Sequence, residues 1–434
     1  MTRRRLLRSC LPFVALAILA TGCGHSMPRT CVPPQMAVSP IIDLSAPPGD
    51  PGMGDPDILC SVKKALERES PPRPNAPITE DNRPLNVLAL SGGGIYGAFD
   101  VGVLAGWSAT GTRPVFDVIT GVSTGALIAT FAFLGPEYDE FLRNSYVNIS
   151  PEDIYSRRRL LEILRSDSLV SSVPLQRKIM AAITPEILAA VAREHAKGRR
   201  LYVGTTNLDT RRFVIWDLGA IASQGTAEAL QLYQKVLLAS GSVPGFFPPV
   251  TINVEFNGQS FQEFHVDGGA TASVFVRASM LRLKGNDPRI RAGSKLYVIS
   301  SGKLFADPGC VEHGIRSITA ATIQSLLYSN TRNDIYRIHD LALATGSHFR
   351  LIAVPPEMPL NPSSLHIDRV EMQRLFDVGY QMGLTGQGWL DAPPQLELEC
   401  QPTNPPRTGV RFATVPPAPV PPGPMPPGPM PPGP

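Results

Sequence analysis

From Leu85 onward, short apolar runs alternate with longer stretches in which apolar residues recur every three or four positions. The short runs predict strands at Asn86–Leu90, Val115–Thr120, Leu201–Thr205, Arg212–Trp216, Leu296–Ser300 and Phe349–Val354. The helical spacing predicts helices at Gly97–Trp107, Gly125–Leu134, Pro185–Ala196, Ser317–Ala344 and Val370–Met382. Thr184 is placed to cap the third of these, and Gly198 stands just past its end. Thr251–Phe256 and Ser260–Val266 flank Asn257-Gly258, a dipeptide that suits a two-residue hairpin turn. Strands alternating with helices predict an α/β class: three layers, α/β/α, around a mainly parallel central sheet that carries one hairpin.

Proline divides the chain. Of 45 prolines, 13 fall in residues 24–84 and 17 in 393–434, against 14 in the whole of 85–392. A globular body at 85–392 is therefore expected between a proline-rich tether (23–84) and a proline-rich tail (393–434). Within the tether, Asp55 followed by Pro56, with Ile58, Leu59, Val62 and Leu66 behind, predicts one short helix. The tail, which ends in repeats of Pro-Pro-Gly-Pro, is expected to be extended or disordered. It could also dock an aromatic groove on a protein partner.

The formal net charge is +3, but Arg3, Arg4, Arg5 and Arg8 supply four of the basic residues. The remainder holds 36 basic against 37 acidic residues, which leaves no excess for a nucleic-acid backbone. Those arginines precede an apolar run, Leu11 to Ala20, too short to span a bilayer, and the whole reads as a signal peptide over residues 1–22. Leu19-Ala20-Thr21-Gly22-Cys23 resembles a bacterial lipobox, which predicts export and acylation of Cys23 as a membrane anchor. Gly24 after that cysteine favours the outer membrane of a two-membrane cell. Cys31, Cys60, Cys310 and Cys400 remain, with three pairings open and no spacing suited to zinc.

Three glycine-rich segments stand where predicted strands end. The first, Ser91-Gly92-Gly93-Gly94-Ile95-Tyr96-Gly97, leads from a strand into a helix. Amides at such a start lack partners and receive negative charge, so Gly92, Gly93 and Gly94 are candidate anion donors. The second is Gly121-Val122-Ser123-Thr124-Gly125, a GxSxG sequence at a strand-to-helix turn. Gly121 and Gly125 let the backbone turn sharply there, and the turn exposes the Ser123 hydroxyl at a helix N-terminus. The third, His265-Val266-Asp267-Gly268-Gly269, places a carboxylate at a strand end where Gly268 and Gly269 do not hinder approach. Asp267 is either a base for a serine or the acceptor of an ordinary Asx turn.

Together with the segment Ala239 to Pro249, these motifs resemble the patatin-like phospholipases over roughly Leu85 to Leu390. The resemblance implies a hydrolase of lipid esters that needs no cofactor or metal. Ser123 would be its nucleophile, Asp267 its base and the Gly92–Gly94 amides its oxyanion donors. The family loop usually carries Arg or Lys where this chain has Tyr96. Phe246 and Phe247 are candidate acyl-chain contacts or plain core residues. Other readings stay open. His313, His339, His348 and His366 follow Asp267 and could complete a Ser-Asp-His triad. Gly92-x-Gly94-x-x-Gly97 also fits a dinucleotide-binding pattern, with Asp117 as its acid, although Asp117 falls early in its strand. A lipid-anchored surface protein with a relic hydrolase body is the non-enzymatic alternative.

Overall fold

The computed structural model describes residues 82–394, except 160–161, 163–165, 257, 282–291 and 308–310. The predicted leader with Cys23, all but the last three residues of the tether (with its short helix), all but the first two residues of the tail, and Cys31, Cys60, Cys310 and Cys400 lie outside the described residues.

The main sheet is built from β1 (Asn86–Leu90), β2 (Val118–Val122), β3 (Arg200–Asn207), β4 (Arg212–Asp217), β5 (Val250–Phe256), β6 (Gln259–Asp267), β7 (Lys295–Ser300) and β8 (His348–Ala353). The strands run in the order β8-β7-β1-β2-β3-β6-β5, with β4 also paired to β3. The first five are parallel, whereas β4, β5 and β6 pair antiparallel to their neighbours. Helices of nine residues or more are α1 (Gly97–Ala109), α2 (Thr124–Leu134), α3 (Asp139–Val147), α4 (Val173–Ala182), α5 (Pro185–Ala196), α6 (Ala227–Ser240), α7 (Ile315–Thr345) and α8 (Arg369–Thr385).

Both faces of the sheet are covered, as the alternation in β1 requires. Leu88 and Leu90 pack with α1, while Val87 and Ala89 pack with Ile335, Ile338 and Leu341 of α7. On the first face α1 and α8 meet backbone to backbone. A Cβ on Gly102 would lie 2.2 Å from the Phe376 carbonyl oxygen, and one on Gly383 would lie 2.2 Å from that of Val103. Gly106 and Gly379 make the same close approach, so four glycines spaced four apart on two helices bring them together.

The start of β2 differs from expectation, and helices α3, α4 and α6 were not expected. β2 begins at Val118 rather than Val115, whose side chain is exposed. Asp117 supplies the reason: its carboxylate accepts the Asn86 amide at 2.8 Å and pairs with Arg83 at 2.7 Å, closing off the strand's start. Helix α6, which the sequence pattern did not reveal, is capped by Thr226, whose hydroxyl accepts the Ala229 amide.

Strand β3 carries two partners on one edge. Strand β2 pairs with Arg200–Gly204 in parallel, and β6 pairs with Thr205–Asn207 antiparallel. The two strands therefore end head to head, with Val122 opposite Gly204 and Asp267 opposite the next residue, Thr205.

Candidate active site

Ser123 follows β2 directly, and Asp267 is the last residue of β6, so the shared edge of β3 brings them together. Ser123 adopts φ 53° and ψ −124°, and among the described residues only it and Arg211 are non-glycine residues with positive φ. Such a conformation costs about 1–3 kcal/mol and persists only where the surroundings enforce it. The enforcement is visible. The Ser123 amide donates to Ser240 Oγ at 2.9 Å, and Ser240 Oγ donates to the Gly204 carbonyl at 2.7 Å. On the far side, a Cβ on Gly125 would lie 2.5 Å from the Leu90 carbonyl oxygen, so α2 starts directly against the end of β1.

Asp267 is buried, and its amide donates to the Ser242 carbonyl at 2.9 Å. Its Oδ1 accepts the Gly269 amide at 2.7 Å, and the Ser123 side chain is near enough to the same carboxyl group to favour its charged form. Burial pushes this carboxyl up to about 6, with the nearby Ser123 side chain and the Gly269 amide pulling the other way. Asp267 thus makes the Asx-type contact.

The glycine loop runs beside the serine, where a Cβ on Gly92 would lie 3.1 Å from Ser123 Cβ. Its three amides are not equivalent. The Gly92 amide donates to the Ser273 carbonyl at 2.9 Å, while Gly93 and Gly94 have no hydrogen-bond partner for theirs among the described residues. Gly94 has φ +57°, and a Cβ there would strike the Ser364 carbonyl, so this position requires glycine. Ser273 is held in turn by α7, where Asp334 accepts its amide at 2.7 Å. Burial raises the Asp334 carboxyl to about 6.

Behind the loop lies a buried network that the sequence did not announce. Ser301 Oγ donates to Asp100 at 2.7 Å, and the Ser301 amide donates to Ser91 Oγ at 2.9 Å. Burial raises the Asp100 carboxyl well above the ordinary range. Another such group braces β6, where His265 contacts Glu263 at 3.1 Å and Thr205 at 3.0 Å.

Tyr96 turns away from Ser123. It is buried, and its hydroxyl donates to the Asn361 carbonyl, tying the loop to the segment whose Ser364 carbonyl accepts the Ile95 amide. Ser123 and Gly94 open onto a cavity of about 350 Å³. Its walls are mostly apolar, with Leu127, Phe131, Leu142, Ile179, Phe246 and Phe247 among them, and with Lys178 and Ser145 as polar members. Phe247 is buried and Phe246 partly so, and Phe246 meets Tyr155 edge to face at 5.2 Å.

Residues 88–280 match the family model described as patatin-like phospholipase. The chain carries a patatin-like phospholipase domain. Ser123, Asp267 and the glycine loop all fall inside the matched span of that domain. Among solved structures, VipD from Legionella pneumophila is similar at 12% identity, over 75% of this chain and 73% of that one, with a TM-score of 0.35. No curated protein matches the sequence.

The rival arrangements find no geometry in the patatin-like domain. Among the described residues, no histidine hydrogen-bonds to Ser123 or Asp267. His348 begins β8, at the opposite end of the parallel strands from Ser123, and His339 packs against Phe349. Asp117 also sits at that opposite end, engaged with Arg83 and Asn86, away from the glycine loop.

Proposed function

We propose that this patatin-like protein hydrolyses carboxylic esters of lipids through Ser123 and Asp267. The observation that carries the reading is the Ser123 side chain, next to the buried Asp267 carboxyl group on the shared edge of β3, at the mouth of an apolar cavity. In the proposed reaction the Ser123 hydroxyl passes its proton to Asp267 while Oγ attacks the ester carbonyl carbon. The carbonyl oxygen becomes an oxyanion and is met by the free amides of Gly93 and Gly94, with Gly92 fixing the loop. One such donor is worth roughly a hundredfold or more in rate. Collapse breaks the bond to the alcohol, which leaves with the proton from Asp267. Water then loses a proton to Asp267 and attacks the acyl-serine, and the proton returns to Ser123 as the fatty acid departs. The cavity, within the range of about 300–1,000 Å³ usual for ligand pockets, would hold the acyl chain.

Hydrolysis of p-nitrophenyl esters of graded chain length tests the proposal. The wild type should turn over, and Ser123→Ala and Asp267→Asn should both fall to background. Turnover surviving in Ser123→Ala would remove the assignment. Export and acylation at Cys23 belong to the same proposal and place the hydrolase against a membrane.

A further inference from the structure

The first half of α7 is built inside out. Between Ile315 and Tyr328 its half-buried positions, Ser317, Ala321, Gln324 and Tyr328, follow the four-and-three spacing of one helical stripe. That inward stripe is polar or small, apart from the tyrosine. The large aliphatic side chains, Ile315, Ile318, Ile323, Leu326 and Leu327, are exposed instead, with Ile318 at 52% and Leu326 at 59%. In the second half the polarity is ordinary, and Ile335, Ile338 and Leu341 are buried against the sheet. A helix in contact with water on its outer side carries the opposite pattern. Scattered exposed aliphatics need no cause, but a contiguous outward face of them does.

Two observations indicate what covers this face. Between Glu312 and Asp334 the chain has no acidic residue apart from Asp334 itself, and its two charged residues before that point, Arg316 and Arg332, are positive. The helix is also tied to the rim of the cavity: Gln324 donates to the Pro362 carbonyl at 2.6 Å, and Ser364 and Leu365, just beyond, line the cavity. An apolar, acid-free surface beside an acyl-chain cavity is suited to a bilayer interface. We propose that the N-terminal half of α7 docks on a phospholipid surface and brings the cavity mouth to its substrate. The proposal rests on the acyl-hydrolase reading for its choice of partner.

The test uses the full chain with Cys23→Ser, so that no acyl anchor contributes. Flotation is measured with vesicles of phosphatidylcholine mixed with phosphatidylglycerol, alongside hydrolysis of a water-soluble short-chain ester. Replacing Ile318→Gln with Leu326→Gln should cut the floated fraction by about tenfold. Soluble ester turnover, thermal midpoint and elution volume should stay unchanged. The pair Ile315→Gln with Ile323→Gln, on the same outward face, should give the same loss. Equal flotation of variant and parent overturns the proposal. So does a parent that fails to float, or a parent dimer that the substitutions make monomeric, because the face is then covered by the chain itself or by a second copy. Flotation that responds while no protein cleaves the ester upholds docking and sinks the hydrolase reading instead.

Discussion

Asp267 is under opposing influences: burial favours its neutral form, while the nearby Ser123 side chain and the Gly269 amide favour the carboxylate. The outcome, near 6, suits a base that must accept a proton at neutral pH and release it again. Because the ionised form is the active one, kcat/KM should be level above about pH 6 and fall about tenfold per unit below it. Asp334 is raised into the same range but meets the backbone behind the loop and Arg337, with no hydrogen bond to Ser123 or Asp267, so Asp334→Asn should leave that acid limb in place. A limb near pH 4 would contradict the assigned environment of Asp267. At this scale much could be read from the sequence, because Gly121, Ser123, Gly125 and Asp267 to Gly269 follow local backbone rules. Ser240 and Asp100 could not be read in this way. Their partners, Gly204, Ser123 and Ser301, become neighbours only once strands far apart in sequence have paired.

At the level of elements, the glycine loop depends on where α1 sits, and α1 depends on α8. The approach of Gly102 and Gly106 to Gly379 and Gly383 leaves no room for a methyl group. Gly106→Ala or Gly383→Ala should therefore lower stability by about 1–3 kcal/mol, as overpacking does. Elsewhere in a helix the same change would stabilise by about 0.5–1 kcal/mol. Denaturant unfolding decides on sign alone, and a gain would mean that the helices are not in backbone contact. The helices themselves were legible from periodicity. Their glycines were not, because a four-residue repeat says nothing about which partner it will face. The parallel core was likewise legible from strand–helix alternation, but not the abutting of β2 and β6 on β3. That junction is set by register, which no local pattern encodes.

In the molecule as a whole, Ser123 opens on an apolar cavity with the buried Asp267 near it, and α7 is tied to the cavity rim through Gln324. Among the described residues, no helix is long and apolar enough to cross a membrane. Attachment would then come from the proposed acyl group on Cys23 and from the outward face of α7. In a chain that also carries Ile318→Gln and Leu326→Gln, so that α7 no longer docks, Cys23→Ala should move the protein from the membrane fraction to the soluble one, and an unchanged distribution would remove the acyl tether. The inverted half of α7 was hidden in the sequence because its spacing is as helical as that of any core helix, and only exposure reveals which side faces out. The central claim is that Ser123, activated by Asp267, carries the acyl group. It is tested most directly by intact-mass measurement and peptide mapping after reaction with a fluorophosphonate. One adduct is expected, on Ser123, absent in Ser123→Ala and forming far more slowly in Asp267→Asn. An adduct on another residue, or undiminished labelling of Ser123→Ala, would contradict it.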